Sequence, residues 1–485
     1  MDLGGDRPTA APRGRRSLKA RPERLLEGFL FYASSEAFIR VLGLGVSVLV
    51  SRHLGLIALG ELTVAQNLVQ YALVAGDAGL TALGMAKIAE GLELRRVVLP
   101  ITIAQITLSA AASLVVVGVA AMLSPKVDVV TVVALSPLAL AYALNLSYVL
   151  QAERRLSTYA AARIGGQIVG TALTVGIIYA GGSIAAVAAS MCCAPFVVAA
   201  IVAKDVWPRL ASRTSGDLLR AVRYVSTSIR QGAHYLKNGL LLHVYWSTTV
   251  VLLAVLASPT AVAEYAVGFR LALVAAGVGQ IFAWTWFPRL IRVDQEGGPG
   301  RAVPEIVTGV IIIVGSVATF AAVAARPILA GLYGSAPGSS ALVLQILCIH
   351  LPFAYFTALM QVVLLALGHG RRQIRIVGVG TILLIAATLV AIPTVGAVGA
   401  ALSLLVAEIV MTFLLLRAYG EVVGRSPLIV VTTAVGYLSP VVIAVIATNR
   451  ATSLTIALVC GGALLVAEEA LWGRIRRFFI ALRMA

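Results

Sequence analysis

The chain has 485 residues, 60% of them hydrophobic and only 12% charged, and its mean hydropathy is +0.96. A soluble domain carries roughly 25% charged residues, so this composition excludes one and specifies a polytopic membrane protein. The net charge of +17 does not signify nucleic-acid binding, because the cations are spread over eight separate segments and form no single basic face.

Residues 1–27 form an Arg-, Pro- and Gly-rich tail expected to be disordered. The tail has the charge of a signal-peptide front. The apolar run behind it is too long and has no small-residue cleavage site, so an uncleaved first span is expected. Fourteen apolar runs follow, each long enough to cross a hydrocarbon core of about 30 Å at 1.5 Å per residue. They cover residues 28–51, 61–82, 97–123, 129–150, 158–180, 183–203, 234–257, 263–287, 306–325, 342–367, 376–393, 397–416, 428–447 and 452–471. The expected architecture is all-α: an N-lobe of six helices (28–203), a cytoplasmic linker (204–233) and a C-lobe of six helices (234–417). Two extra helices (428–471) and a basic tail (472–485) complete it.

Sorted by alternate gaps between the runs, thirty of the 38 Lys and Arg residues fall on one side. Four fall on the other: Arg52, Lys126, Arg326 and Arg450. The last four, Arg40, Arg163, Lys237 and Arg270, lie within the runs. This skew is the positive-inside signature, which places the basic side and both termini in the cytoplasm, where the cations also meet anionic headgroups. Trp207, Trp284, Trp286 and Trp472 gather near that face as an interfacial belt. Cys192, Cys193, Cys348 and Cys460 all lie in spans, with no second CxxC or HxxxH, so they read as structural thiols rather than metal ligands.

The two sets of six spans look related at a spacing of 203 residues. Glu61, Val64, Leu68 and Ala72 match Glu264, Val267, Leu271 and Ala275, and Arg154-Arg155 after span 4 answers to Arg371-Arg372 after span 10. Gly182 and Ala186 match Gly396 and Ala400 in similar Gly/Ala turns. An even number of spans per repeat gives both the same orientation, with a pseudo-twofold along the membrane normal.

Arg40-Val-Leu-Gly-Leu, Ser51-Arg-His-Leu-Gly, the Gly60-Glu-Leu opening of span 2 and its Ala75-Gly-Asp-Ala-Gly-Leu-Thr ending resemble the N-terminal signature of bacterial polysaccharide transporters. These are the O-antigen and exopolysaccharide flippases of the superfamily that also holds multidrug antiporters and the peptidoglycan-precursor flippase. Gly331-Leu-Tyr-Gly and the Gly182 and Gly396 turns fit as well. The resemblance covers about residues 28–420 and implies a MATE-like fold, two six-helix lobes facing each other across a central cavity. It implies an undecaprenyl-pyrophosphate-linked saccharide as substrate, with a polysaccharide polymerase and glycosyltransferases as partners.

Arg40 lies near mid-membrane in span 1, where an Arg costs on the order of 2.5–3.5 kcal/mol and needs a wet cavity and a partner. Glu36, one turn earlier, is the obvious partner; the pair reads either as self-neutralising or as a cavity cation whose free face holds phosphate. Arg270 in span 8 has no acid at i±3 or i±4 and reads as substrate-facing, or as helix glue. At the repeat spacing it answers to Asn67, and Arg40 answers to His243. His243 and Trp246 near the middle of span 7 offer a hydrogen bond and a stacking face for sugar, against the commoner core-packing role. Lys237 and Arg163 are shallow enough to snorkel, yet either would attract an anionic headgroup. Three carboxylates are intramembrane: Glu36, Asp77 between two glycines, a candidate gate or close-packing point, and Glu408 in span 12. Glu408 has no cation on its own helix and is the candidate for proton or sodium coupling; no other cofactor and no metal are expected.

The expected function is therefore flipping of an anionic lipid-linked oligosaccharide from the inner to the outer leaflet. A proton- or sodium-coupled drug or metabolite exporter on the same fold is the alternative, disfavoured because a cation exporter would place acids where Arg40 and Arg270 stand. A polymerase or ligase would carry its chemistry on sizeable loops, and here the outer loops are short and the inner ones hold no paired-carboxylate or nucleotide-binding motif.

Overall fold

The structure, a computed structural model, describes residues 22–124, 126–210, 216–295, 314–334 and 337–423; expected spans 13 and 14 lie outside the described residues. Everything described is helix, turn or loop, and the apolar runs among the described residues are helices. α1 (Pro22–Leu54) is the first span. α2 (Leu56–Asp77) and α3 (Leu80–Ala89) make the second, α4 (Leu94–Met122) the third, and α5 to α7 (Val129–Leu135, Pro137–Ala143, Ser147–Ala152) the fourth. α8 (Leu156–Tyr179) is the fifth, and α9 (Ile184–Met191) with α10 (Cys193–Leu210) the sixth. α11 (Gly216–Leu256) and α12 (Pro259–Gln295) follow. The ninth span is a bent pair, α13 (Val314–Val323) and α14 (Ala325–Tyr333), turned by 72°. α15 (Ser340–Ala366) is the tenth, and α16 (Gly370–Val423) carries two crossings joined at Gly396.

Gly396 makes that join with a φ of 56°, a left-handed conformation in which a side chain would be strained. Span 2 breaks for a related reason. Ala78 and Gly79 are both left-handed, with φ of 45° and 75°, and Asp77 caps the new helix. Its carboxylate accepts from the backbone N–H of Gly79 and Thr81, from the Thr81 hydroxyl and, at 2.9 Å, from Gln105 Nε2. Four donors on one carboxylate satisfy it within the membrane without any cation.

Residues 216–233, taken as linker from the sequence, are the first half of the 41-residue helix α11. The cause is a stripe of apolar side chains at helical spacing, Val225, Ile229 and Leu236, which packs on a cluster formed by α3, α4, α7 and α10. Gly232 belongs to the same face and lies against Ala78 O and Leu80, beside the break in span 2.

Within the first half of the chain α1 packs on α8, α2 on α4, and α8 on α10; in the second, α12 and α16 both pack on α15. Glycines set the closest approaches: Gly166 and Gly170 of α8 let Ala194 of α10 come into backbone contact. The halves meet along α2, which lies against both α11 and α12, and where α11 meets α4. Gly60 and Ala263, residues 203 apart, face one another at this seam. Large apolar side chains such as Leu114, Ile382, Val390 and Phe413 are more than half exposed in mid-helix; in a bilayer these face lipid, which removes the penalty water would impose.

Candidate functional site at the seam between the halves

Arg270 projects from α12 across the seam into α1 and α2. Its guanidinium donates to Ser47 Oγ at 2.7 Å, to Gln66 Oε1 at 2.7 Å, and to Thr63 Oγ1 at 2.9 and 3.3 Å. The hydroxyls of Ser47 and Thr63 donate in turn to Gly43 O and Leu59 O of their own helices. Their lone pairs are thereby left to accept from the arginine. All of these partners are neutral. Among the described residues no carboxylate comes within ion-pair distance of Arg270, so its charge is solvated by dipoles but not cancelled.

Arg40 lies deeper along the seam. It lines a cavity of about 200 Å³ together with Tyr245 and Trp246 of α11, Thr357 and Gln361 of α15, and Gln373 and Glu408 of α16. Although Arg40 belongs to the first half of the chain, its guanidinium rests on Gly277 of α12, where any Cβ would overlap it. Gly277 is the residue that admits the arginine to the cavity wall.

The spacing predicts Glu36 opposite Arg40. The ion pair that Glu36 makes is instead with Arg163 of α8, whose guanidinium also stands 5.7 Å from the centre of the Tyr159 ring. The reason lies in packing: α1 and α8 are close neighbours, and the arginine on the facing helix reaches the carboxylate. Arg163 is thus neutralised within the first half. Its contact with Glu36 joins α1 and α8, whereas Arg40 and Arg270 reach helices of the other half of the chain.

Glu408 is 2% exposed, and so is the side chain of His350 beside it. One carboxylate oxygen, Oε2, accepts from the Tyr245 hydroxyl and lies 3.3 Å from His350 Nε2. Trp246 stands edge-on to both neighbours, its ring centroid 5.7 Å from that of Tyr245 and 6.3 Å from that of His350. His350, Tyr245, Ser47, Thr63 and Gln66 are the residues the sequence left unmarked. A histidine in an apolar run was a visible signal for the first, as it was for His243.

The remaining candidates are more scattered. Asn67 donates to Thr63 O at 2.8 Å, one turn from the Arg270 cluster on its own helix. His243 is half-buried on α11, and Asp77 is committed to the break in span 2. The side chain of Lys237 lies outside the described residues. At the end of the seam away from the basic loops, two cations cross between halves to backbone carbonyls. Arg52 donates to Leu332 O at 2.7 Å and to Gly331 O, and Lys126 donates to Val255 O. Each acceptor belongs to the last turn of a helix, where carbonyls lack partners and the helix dipole is negative.

The comparisons agree with this picture. The sequence profile described as "Polysaccharide biosynthesis protein" matches residues 25–293, more than half of the chain. No curated protein matches. Among solved structures, the lipid II flippase MurJ in an inward closed conformation superposes with a TM-score of 0.71 at 11% identity, covering 92% of this chain and 99% of that one. The eukaryotic MATE transporter AtDTX14 does so with a TM-score of 0.58 at 16% identity, covering 86% and 99%. A MOP superfamily transporter from Pyrococcus furiosus gives 0.54 at 12% identity, covering 82% and 96%. At identities of 11 to 16% these likenesses establish the fold alone. By its sequence, the chain belongs to the polysaccharide biosynthesis protein family.

Proposed function

We propose that the protein flips an anionic, polyprenyl-diphosphate-linked oligosaccharide from the inner to the outer leaflet of the bacterial cytoplasmic membrane. The observation that carries this is the pair of guanidiniums at the seam, Arg270 with no carboxylate partner and Arg40 on the wall of a cavity that also holds Trp246, Gln361 and Gln373. Guanidinium forks suit phosphate oxygens, while an aromatic face and amides suit sugar. Membership of the polysaccharide biosynthesis family and a fold shared with a lipid II flippase support the same substrate class. In this scheme the basic loops face the cytoplasm, the lipid tail stays in the bilayer, and the two halves rock about the seam to alternate access. Glycosyltransferases supply the substrate and a polymerase consumes it; the protein itself transfers no group.

The test is reconstitution in vesicles with a fluorescent prenyl-diphosphate saccharide, its translocation read from accessibility to an impermeant quencher. Losing one charged contact costs about 1.5–3 kcal/mol, so R40A and R270A are each expected to slow translocation by roughly 10- to 100-fold. Translocation by the wild type that neither variant changes removes the cavity assignment. Absence of lipid movement together with efflux of organic cations replaces the flippase with the exporter.

A further inference from the structure

Two buried hydroxyls near Arg270 have nothing to bond to. Ser51 follows Ser47 by one turn of α1 and is 5% exposed, and Tyr333 ends α14 and is 4% exposed. Neither oxygen has a hydrogen-bond partner among the described residues. Burying a hydroxyl unpaired is unfavourable, so two such groups in one place mark donors held for something outside the protein's own bonding.

Both lie against the same charge. Arg52 donates to Gly331 O and Leu332 O, which brings the last turn of α1 against the last turn of α14. Ser47, one turn from Ser51 on the same face, accepts from Arg270 Nη1. The Tyr333 hydroxyl is within electrostatic range of that guanidinium. A guanidinium carries five N–H donors. Arg270 engages four: Nε–H with Thr63, one hydrogen of Nη1 with Ser47, and both of Nη2 with Thr63 and Gln66. The hydrogen left over is on Nη1, the nitrogen that faces α1. Three unused donors, Nη1–H and the hydroxyls of Ser51 and Tyr333, thus gather beside a positive charge that no carboxylate cancels.

Resting on the lipid-diphosphate reading above, we propose that Arg270, Ser51 and Tyr333 form a second phosphate site, outward of the Arg40 cavity, which holds a phosphate of the substrate before release. A guanidinium edge flanked by hydroxyls is a donor set for oxyanions. The site is a separate step and not the rim of the first. The Arg40 guanidinium rests on Gly277, two turns inward of Arg270 on α12 and so about 10 Å away by helix rise. Ser51 belongs to the first half of the chain and Tyr333 to the second, so a phosphate held here bridges the seam.

A buried water is the competing occupant, since it too accepts from hydroxyls. The two differ in what a deletion does. Hydroxyls satisfied by water add to stability, and Y333F and S51A then lower the melting temperature. Hydroxyls kept for phosphate add nothing without it, so both variants should melt at or above the wild-type temperature and lose only phosphate affinity.

Fluorotyrosine incorporated at Tyr333 places a fluorine NMR reporter in the site itself. The protein in nanodiscs is titrated with inorganic diphosphate and with farnesyl diphosphate, and each should give a saturable shift. S51A should raise the half-saturating concentration at least about fivefold. A signal that neither ligand moves overturns the site, as does a shift unchanged in S51A or one that chloride reproduces at equal concentration. Melting temperatures lowered in both Y333F and S51A overturn it in favour of water. Movement with inorganic diphosphate but not with farnesyl diphosphate keeps the site and refutes the lipid-diphosphate reading. Farnesyl diphosphate binding seen by calorimetry and weakened in R40A, with the fluorine signal still, leaves that reading standing and removes the second site.

Discussion

Replacing Arg270 by alanine is the perturbation whose consequence is most directly set by geometry. The side chain makes four hydrogen bonds to three residues of the other half, two of them at 2.7 Å. Removing it leaves few orphans, because Ser47 and Thr63 keep their donations to Gly43 O and Leu59 O. The loss is thus the attraction across the seam and little else. Charged hydrogen bonds contribute about 1.5–3 kcal/mol each, and the desolvated guanidinium offsets part of their sum. A net weakening of about 2–4 kcal/mol remains, which shifts the balance between apposed and separated halves by roughly 30- to 1,000-fold. Spin labels at Ser124 and Ser258 read this, since both are exposed at the same end of the seam and belong to opposite halves. With the native cysteines replaced, the parent should give a short-distance population and R270A a dominant longer one. R270K should fall between, since one ammonium cannot serve three separated acceptors. A distance distribution for R270A that superposes on the parent's refutes the idea that these bonds hold the halves together.

The same pair of labels should respond to R52Q combined with K126Q, but less, by about tenfold or below, because both bonds are exposed and screened. G277A should push the Arg40 guanidinium off the cavity wall, since the added methyl meets the flexible end of a side chain. Farnesyl diphosphate affinity should then fall at least about fivefold, with a melting temperature close to wild type; equal affinity would show that Arg40 does not bind from this position. D77A removes the acceptor for four donors at the break in span 2. Thermal unfolding in detergent should reveal a loss of about 2–3 kcal/mol, partly recovered in D77N. Unchanged unfolding in D77A would place the cause of the break in Ala78-Gly79 alone.

What the sequence disclosed, and what it hid, follows from the range of each interaction. The Gly396 turn was legible because it is local and glycine tolerates positive φ, whereas the break after Asp77 was not anticipated, since residues 61–82 read as one continuous run. The apolar helices that the structure describes were legible because a bilayer demands length and apolarity of each separately. Partnerships between helices were hidden. Spacing on one helix offered Glu36 to Arg40, yet the rotation of α1 against α8 gave it to Arg163. Glu408 looked solitary because its partners stand 58 and 163 positions away. Arg270 was recognised as lacking an acid, but its neutral acceptors, more than 200 residues distant, follow from how α2 lies against α12.

The cations that break the charge rule now separate into kinds. The thirty on the basic side need no explanation beyond topology. Of those on the opposite side that the structure describes, Arg52 and Lys126 each reach a helix C-terminus in the other half of the chain, while Arg326 stays exposed. Of the four inside the membrane, Arg40 and Arg270 cross the seam, and Arg163 does not. A cation placed against the insertion bias costs free energy, so its retention asks for a return elsewhere. For four of these residues that return is a contact made across the seam, to the other half of the chain. In the proposed scheme a contact of this kind would bias which side of the seam is shut. Two of the four end on backbone carbonyls and serve closure alone. The other two present guanidiniums where a diphosphate would pass, so the same charges that hold the seam are the ones a substrate would compete for.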